Sequence, residues 1–206
     1  MASFETAYNK YIKPNEGGYV NITADKGGET YAGIARNFFP NWSGWTYIDF
    51  IKRTKGPIPR YTKFPDIQFE VDQFYRDWWT TRRFGEIKSQ EVANLIFDFN
   101  VNSGSAIKIL QRIVGVTADG AMGPATIAAI NKMDPAKLHE ALKAERLKLY
   151  QSLVAKDPTQ KVFWDGWMAR LASFPTLTAG ISITIVLAMI GLGLLGYYMY
   201  QSKAVN

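Results

Sequence analysis

The spacing of apolar positions divides the chain into helical stretches around one short irregular insert. Near the N-terminus Phe4, Tyr8, Tyr11 and Ile12 recur at helical spacing behind Ser3, a residue type that caps helix starts, and Gly17-Gly18 should end that helix. From Tyr19 to Ile34 short alternations interspersed with Gly27, Gly28 and Gly33 predict a small β-hairpin. Residues 36–66 hold Pro40, Pro57, Pro59 and Pro65 and read as a loop with at most short helices. Helical patterns follow over 68–80, 89–102, 104–114, 124–131, 135–155 and 160–172, the stretch 135–155 being the richest in Ala, Leu, Lys and Glu. Leu110, Ile113, Ile127 and Ile130 are candidate core residues, and His139 reads as an exposed helical position with no catalytic task.

The pattern changes abruptly at the C-terminus, where no charge occurs between Arg170 and Lys203. Within that window residues 177–200 form an apolar run of 24 residues. As a helix it would span about 36 Å, more than the ~30 Å hydrocarbon core of a bilayer. Tyr197, Tyr198 and Tyr200 at one end, with Trp164, Trp167 and Phe174 before the other, suit membrane interfaces. The expectation is a transmembrane helix over 177–200, joined by residues 173–176 to a domain over 1–172 and followed by a tail over 201–206. The N-terminus has no apolar signal-peptide core. Gly191, Gly193 and Gly196 would leave a smooth helix face able to pack against another helix.

Composition narrows the chemistry. A chain of 206 residues, 47% hydrophobic and 20% charged, supports one good core with appendages. It has no Cys and one His, which removes thiolate metal sites, disulfides and His-based zinc sites, so carboxylates are the expected catalytic groups. Neither a metal nor an organic cofactor is implied. The net charge of +6 is spread thinly, with 12 basic and 10 acidic residues over 1–87 and 11 and 8 over 88–174, so no nucleic-acid stripe emerges.

Among the acidic residues, Glu16 at a helix end, Asp25 on the insert and Thr30 beyond it stand together between glycines. Glycosidic cleavage needs a protonated carboxyl beside the leaving oxygen and a second carboxylate across the sugar. A helix and a facing hairpin could hold two carboxyls on the walls of a cleft.

The segment EGGYVNITADKGGETYAGIA resembles the N-terminal signature of glycoside hydrolase family 108, the N-acetylmuramidases of phages and bacteria, with its Glu-Gly-Gly-Tyr, Asp-x-Gly-Gly-x-Thr and Gly-Ile elements. The chain carries Tyr31-Ala32-Gly33 where the family often has Asn, an aromatic residue and Gly. NLIFDFNVNSGSAIKILQRIVGVTADGAMGPATIAAI is similar to the peptidoglycan-binding region that accompanies this family, and FWDGWMAR resembles the motif that closes it. The resemblance spans about residues 1–172.

It implies a mainly helical, α+β lysozyme-like fold, with two lobes and a small β-hairpin flanking a cleft. Residues 1–88 would form the muramidase lobe and 89–172 a helical peptidoglycan-binding lobe. Glu16 would be the general acid, Asp25 the ionised partner and Thr30 a water-positioning residue. Tyr19, Tyr31, Asp98, Asn100 and Asn102 are candidate substrate contacts, although the last three are equally suited to capping and turning the chain. Trp42, Trp45, Trp78 and Trp79 could stack on sugars or fill the core. The expected partners are bacterial peptidoglycan, a lipid bilayer through residues 177–200, and virion or envelope proteins, with no nucleic acid. The expected place is a phage virion membrane or bacterial envelope, for opening the wall during infection or lysis. A non-catalytic wall-binding or virion structural protein and a lytic transglycosylase are the alternatives.

Overall fold

Ser3 caps the first helix in the computed structural model, its hydroxyl accepting from the Thr6 amide at 3.3 Å. The structure describes residues 1–22 and 27–177. They form two compact units that divide between Lys132 and Met133. That geometric division differs from the boundary at 88/89 expected from the motifs.

In the first unit, α1 (Phe4–Ala7) runs on through a widened turn, Tyr8–Ile12, and a tight one, Lys13–Asn15. Pro14 has no N–H to continue the ladder. The helix therefore ends where expected, with the Glu16 amide donating to the Ile12 carbonyl at 3.1 Å and Glu16 itself already extended, φ −85° and ψ 128°.

The insert forms three short antiparallel strands in the order β1 (Tyr19–Val20), β2 (Thr30–Tyr31), β3 (Ile34–Ala35). Tyr19 faces Tyr31 in register, and Tyr31 faces Ile34. Between β2 and β3 the two-residue turn Ala32-Gly33 has positive φ at both positions, 46° and 76°. That is the hairpin turn whose twist matches the strands. Residues 61 and 62 strap the outer side of β1, with Tyr19 N donating to Thr62 O at 2.8 Å and Tyr61 N to Tyr19 O at 2.7 Å. A Cβ on Gly18 would lie 2.6 Å from the Tyr61 carbonyl carbon, so this close backbone approach requires glycine.

The stretch expected to be loop contains a full helix, α2 (Gly44–Lys55). Its prolines all lie outside those bounds, and Trp45, Ile48 and Ile51 recur every three residues to bury one stripe. Gly56, at φ 85°, ends it.

Helix α3 (Gln68–Thr81) buries Val71, Tyr75 and Trp79, and α4 (Gln90–Asn102) is buried continuously from Val92 to Asn100. Phe4, Trp79, Phe84 and Phe97 meet as one aromatic cluster, with centroids 5.1 to 6.2 Å apart. Each such ring contributes about 1.5–3 kcal/mol by burial.

Helices α5 (Ala106–Val114) and α6 (Pro124–Lys132) complete the unit, with Pro124 at the first helical position, where its missing N–H costs nothing. Leu110, Ile127 and Ile130 are buried as expected, while Ile113 is half-buried. A clasp joins the two helices. The fully buried Gln111 amide donates to Asp119 Oδ1 at 2.7 Å, Ala121 O at 2.9 Å and Thr126 Oγ1 at 3.2 Å, and its oxygen accepts from Gly120 N at 2.8 Å.

In the second unit, α7 (Pro135–Lys156) is capped by the Asp134 side chain. A tight turn, Pro158–Phe163, precedes α8 (Trp164–Ala172), so the α-helix expected from residue 160 begins only at Trp164. His139 is fully buried, contrary to the exposed position expected of it. It shares the buried stripe of α7 with Leu138, Leu142, Arg146 and Tyr150, and its ring stands 6.5 Å from that of Phe174. Arg146 Nε donates to the Tyr150 hydroxyl at 2.6 Å, and Tyr150 stacks on Trp167 at 4.8 Å. Among the described residues no helix is long and apolar enough to cross a membrane. Beyond Leu177, the run assigned to a membrane crossing lies outside the described residues.

Candidate active site

Glu16 leaves the end of the first helical run half-buried and packs against the β2–β3 turn. The contact is tight enough that a Cβ built on Gly33 would fall on the Glu16 Oε2 oxygen, and would stand 2.7 Å from both the carboxyl carbon and the Tyr75 hydroxyl. Tyr75 Oη in turn donates to Ala32 O at 2.9 Å, fastening the turn to α3. Three elements thus converge on one carboxylate. It opens on a cavity of about 260 Å³ walled by Tyr8, Lys13, Tyr31, Phe64, Gln68 and Val71 among others.

The polar groups of this cavity are held in fixed roles. Tyr8 Oη donates to Asp72 at 2.7 Å. Burial, that hydrogen bond, and the charges of Asp72 and Glu16 all push the Tyr8 phenol far above its ordinary range, so it stays protonated and donating. Asp72 also accepts from Gln68 Nε2 at 2.7 Å and stands 3.9 Å from Lys13 Nζ. The Tyr31 hydroxyl accepts from Phe64 N at 2.8 Å and donates to Phe64 O at 3.2 Å, while its ring stacks on Trp42 at 6.1 Å. These bonds leave Tyr31 an aromatic wall with little freedom.

Of the expected site residues, Glu16 and Tyr31 share this cavity. Thr30 precedes Tyr31 on β2 and so projects from the opposite side of the pleat, its hydroxyl donating to Gly28 O at 3.1 Å. Asp25 lies outside the described residues. Tyr19 is buried, and its hydroxyl donates to Glu29 Oε1 at 2.6 Å; burial first, then Glu29, pushes its pKa up to about 12. Glu29 also pairs with Arg36 at 2.8 Å and Lys52 at 2.7 Å, and Asp49 joins both cations. Tyr19 thereby belongs to the ionic lattice that ties the sheet to α2.

Asp98, Asn100 and Asn102 lie on the last turns of α4. Asp98 is fully buried, Asn100 Oδ1 accepts from Trp78 Nε1 at 2.8 Å, and the exposed Asn102 donates to the Asp98 carbonyl at 2.7 Å. Trp42, Trp45 and Trp79 are core, whereas Trp78 is half-exposed. Tyr8, Lys13, Gln68, Asp72 and Tyr75 complete the surroundings of Glu16 without having been singled out by motif. Their only sequence signal is helical periodicity, which does not tell a core tyrosine from a cavity wall. Among the described residues no group of three or more His, Cys, Asp or Glu could hold a metal ion.

The site is thus a half-buried carboxylate, Glu16, opening on an aromatic-walled cavity beside a small sheet on a mainly helical body. Residues 9–104 match the family described as Glycosyl hydrolase 108, and residues 105–172 match the one described as Predicted Peptidoglycan domain. Over residues 9–104 the chain is therefore similar to the glycosyl hydrolase 108 family. Among solved structures it is similar to that of Brucella abortus SagA, with 26% identity and a TM-score of 0.59, covering 81% of this chain and 88% of SagA. No curated protein matches the chain.

Proposed function

We propose that the protein is an N-acetylmuramidase that hydrolyses the β-1,4 bond between N-acetylmuramic acid and N-acetylglucosamine in bacterial peptidoglycan. The observation that carries this reading is Glu16, wedged against the bare Gly33 turn and opening on an aromatic cavity within the family's matched span. Glu16 acts as the general acid, passing its proton to the glycosidic oxygen as the bond from the anomeric carbon to that oxygen breaks. The apolar faces of Tyr31, Phe64 and Val71 line the cavity on which this carboxyl opens. Asp25, ionised at the outset, takes a proton from the attacking water, whose oxygen bonds to the anomeric carbon. Residues 177–200 anchor the enzyme in a bilayer, and its task is opening the wall during phage infection or host lysis.

The test is product analysis with purified protein and peptidoglycan. Fragments ending in reducing N-acetylmuramic acid are expected, and Glu16→Gln should lower their release by about 10²-fold or more, because an amide cannot supply the proton. Anhydro ends would instead establish a lytic transglycosylase. Unchanged release by Glu16→Gln would place the acid elsewhere, and no release by folded, wall-binding protein would mark a structural role.

A further inference from the structure

A second, larger cavity of about 590 Å³ opens beside α3, on a face of the helix other than the one turned to Glu16. Val71 and Gln68 wall the Glu16 cavity, whereas Glu70, Phe74, Asp77 and Trp78, with Arg82 just past the helix end, line this one. Trp42, in the wall of the second cavity, stacks on Tyr31, in the wall of the first. Its size is that of a ligand site.

The lining combines a rigid apolar surface with uncommitted charge. Phe39, Phe74 and Trp78 contact one another with centroids 4.8 to 5.6 Å apart, and the Trp78 indole is fixed by its hydrogen bond to Asn100. Arg82 lies over the Trp78 ring at 4.6 Å, and no ion pair or hydrogen bond engages its guanidinium among the described residues. Burial alone depresses its pKa, as expected of a cation removed from water without a carboxylate to offset the loss. Glu70 Oε2 is likewise buried without a hydrogen bond. Every other partly buried arginine on this unit's surface with a neighbouring acid takes it, as Arg36 takes Glu29 and Arg83 takes Glu86.

A stacked guanidinium with its fork free suits a planar carboxylate, the aromatic wall suits aliphatic side chains, and Glu70 and Asp77 suit an amine. A short peptide carrying free carboxylate and amino groups presents all three. A neutral sugar would leave both charges unanswered. We infer that this cavity binds the peptide arm of peptidoglycan, with Arg82 pairing to a peptide carboxylate while the glycan strand occupies the Glu16 cleft. The inference rests on the peptidoglycan reading above and adds that the enzyme selects peptide-bearing strands.

The test is equilibrium binding to the full-length chain carrying Glu16→Gln, which leaves the ligand uncut. Two soluble probes are compared: the N-acetylglucosaminyl–N-acetylmuramyl tripeptide and the same molecule with its peptide carboxylates amidated. Amidation should weaken binding about tenfold, the size of one charge-assisted pair. Arg82→Gln should weaken the unmodified probe by a similar factor and abolish the sensitivity to amidation, with Arg82→Lys falling between. Phe38, 65% exposed on the cavity rim, can be removed without touching the core, and Phe38→Ala should weaken both probes. Equal binding of the two probes by the parent, or unchanged affinity and discrimination in Arg82→Gln, overturns the inference. If Arg82→Gln does not fold, unchanged binding by Phe38→Ala overturns it instead. Failure of the hydrolase reading is distinguishable, since it shows as anhydro ends or no fragment release when the unsubstituted protein is incubated with peptidoglycan, whichever way these binding experiments turn out.

Discussion

Gly33 shows how one absent side chain can build a site. Its φ of 76° already disfavours any L residue, and its bare Cα is the surface on which the Glu16 carboxylate rests. Gly33→Ala should therefore displace Glu16 and slow wall hydrolysis by about 10²-fold, the cost of roughly 1 Å of misplacement, read by turnover on purified peptidoglycan with circular dichroism confirming the fold. Gln111 plays a comparable part for stability. Its amide serves Asp119, Ala121, Thr126 and Gly120 at once, so Gln111 and the Asp119-Gly120 turn have a structural explanation in this chain. Gln111→Ala orphans several partly buried partners and should destabilise the protein by about 1–3 kcal/mol in urea unfolding. Ser3, Gly18 and Gly33 were all legible as caps or turn residues. Neither the carboxylate resting on Gly33 nor the strap over Gly18 was, because both depend on backbone from distant parts of the chain.

Helix α2 and helix α7 illustrate two different failures of pattern reading. The prolines around α2 suggested a loop, yet between Pro40 and Pro57 there is room for twelve helical residues with a buried stripe. Ile48, fully buried in that stripe, tests its weight: Ile48→Ala should cost about 2–5 kcal/mol by denaturant titration, and a loss under 0.5 kcal/mol would mean that α2 is peripheral to the fold. In α7 the helix itself is plain in the sequence, but His139 reads there as an exposed position. Its spacing of three from Leu142 and seven from Arg146 places it on the buried stripe, a signal masked by the charges that surround it in sequence.

Ion pairs and buried phenols set the response of the whole protein to pH. Arg36 above all, with Lys52, holds the Asp49 carboxyl below its ordinary value of 3.8, and hydrogen bonds from Ala121 and Gln111 do the same for Asp119. Groups depressed in the folded state contribute stability above their unfolded pKa, which is lost as pH falls through the folded value. Tyr19 has the opposite shift, from 10.0 up to about 12, so its contribution is complete below pH 10 and disappears as pH rises toward 12. Melting temperature should accordingly be flat from about pH 5.5 to 9 and decline on both sides. A melting temperature unchanged between pH 6 and pH 3 would show that the carboxylate pairs contribute nothing.

Local chemistry wrote much of this protein into its order of residues. Helix starts, glycine turns, the small sheet and the Glu16 motif depend on neighbours a few positions apart, and such short-range effects survive in a linear reading. Position within the fold did not. That Tyr8, Tyr31 and Val71 form the cavity around Glu16, that Tyr19 is committed to the Glu29 lattice, and that Trp78 stands at a surface while Trp79 fills the core are outcomes of packing between elements dozens of residues apart. An apolar or aromatic side chain carries the same periodic signal whether it meets another side chain or an empty cleft. Only the closing of the elements on one another separates the two.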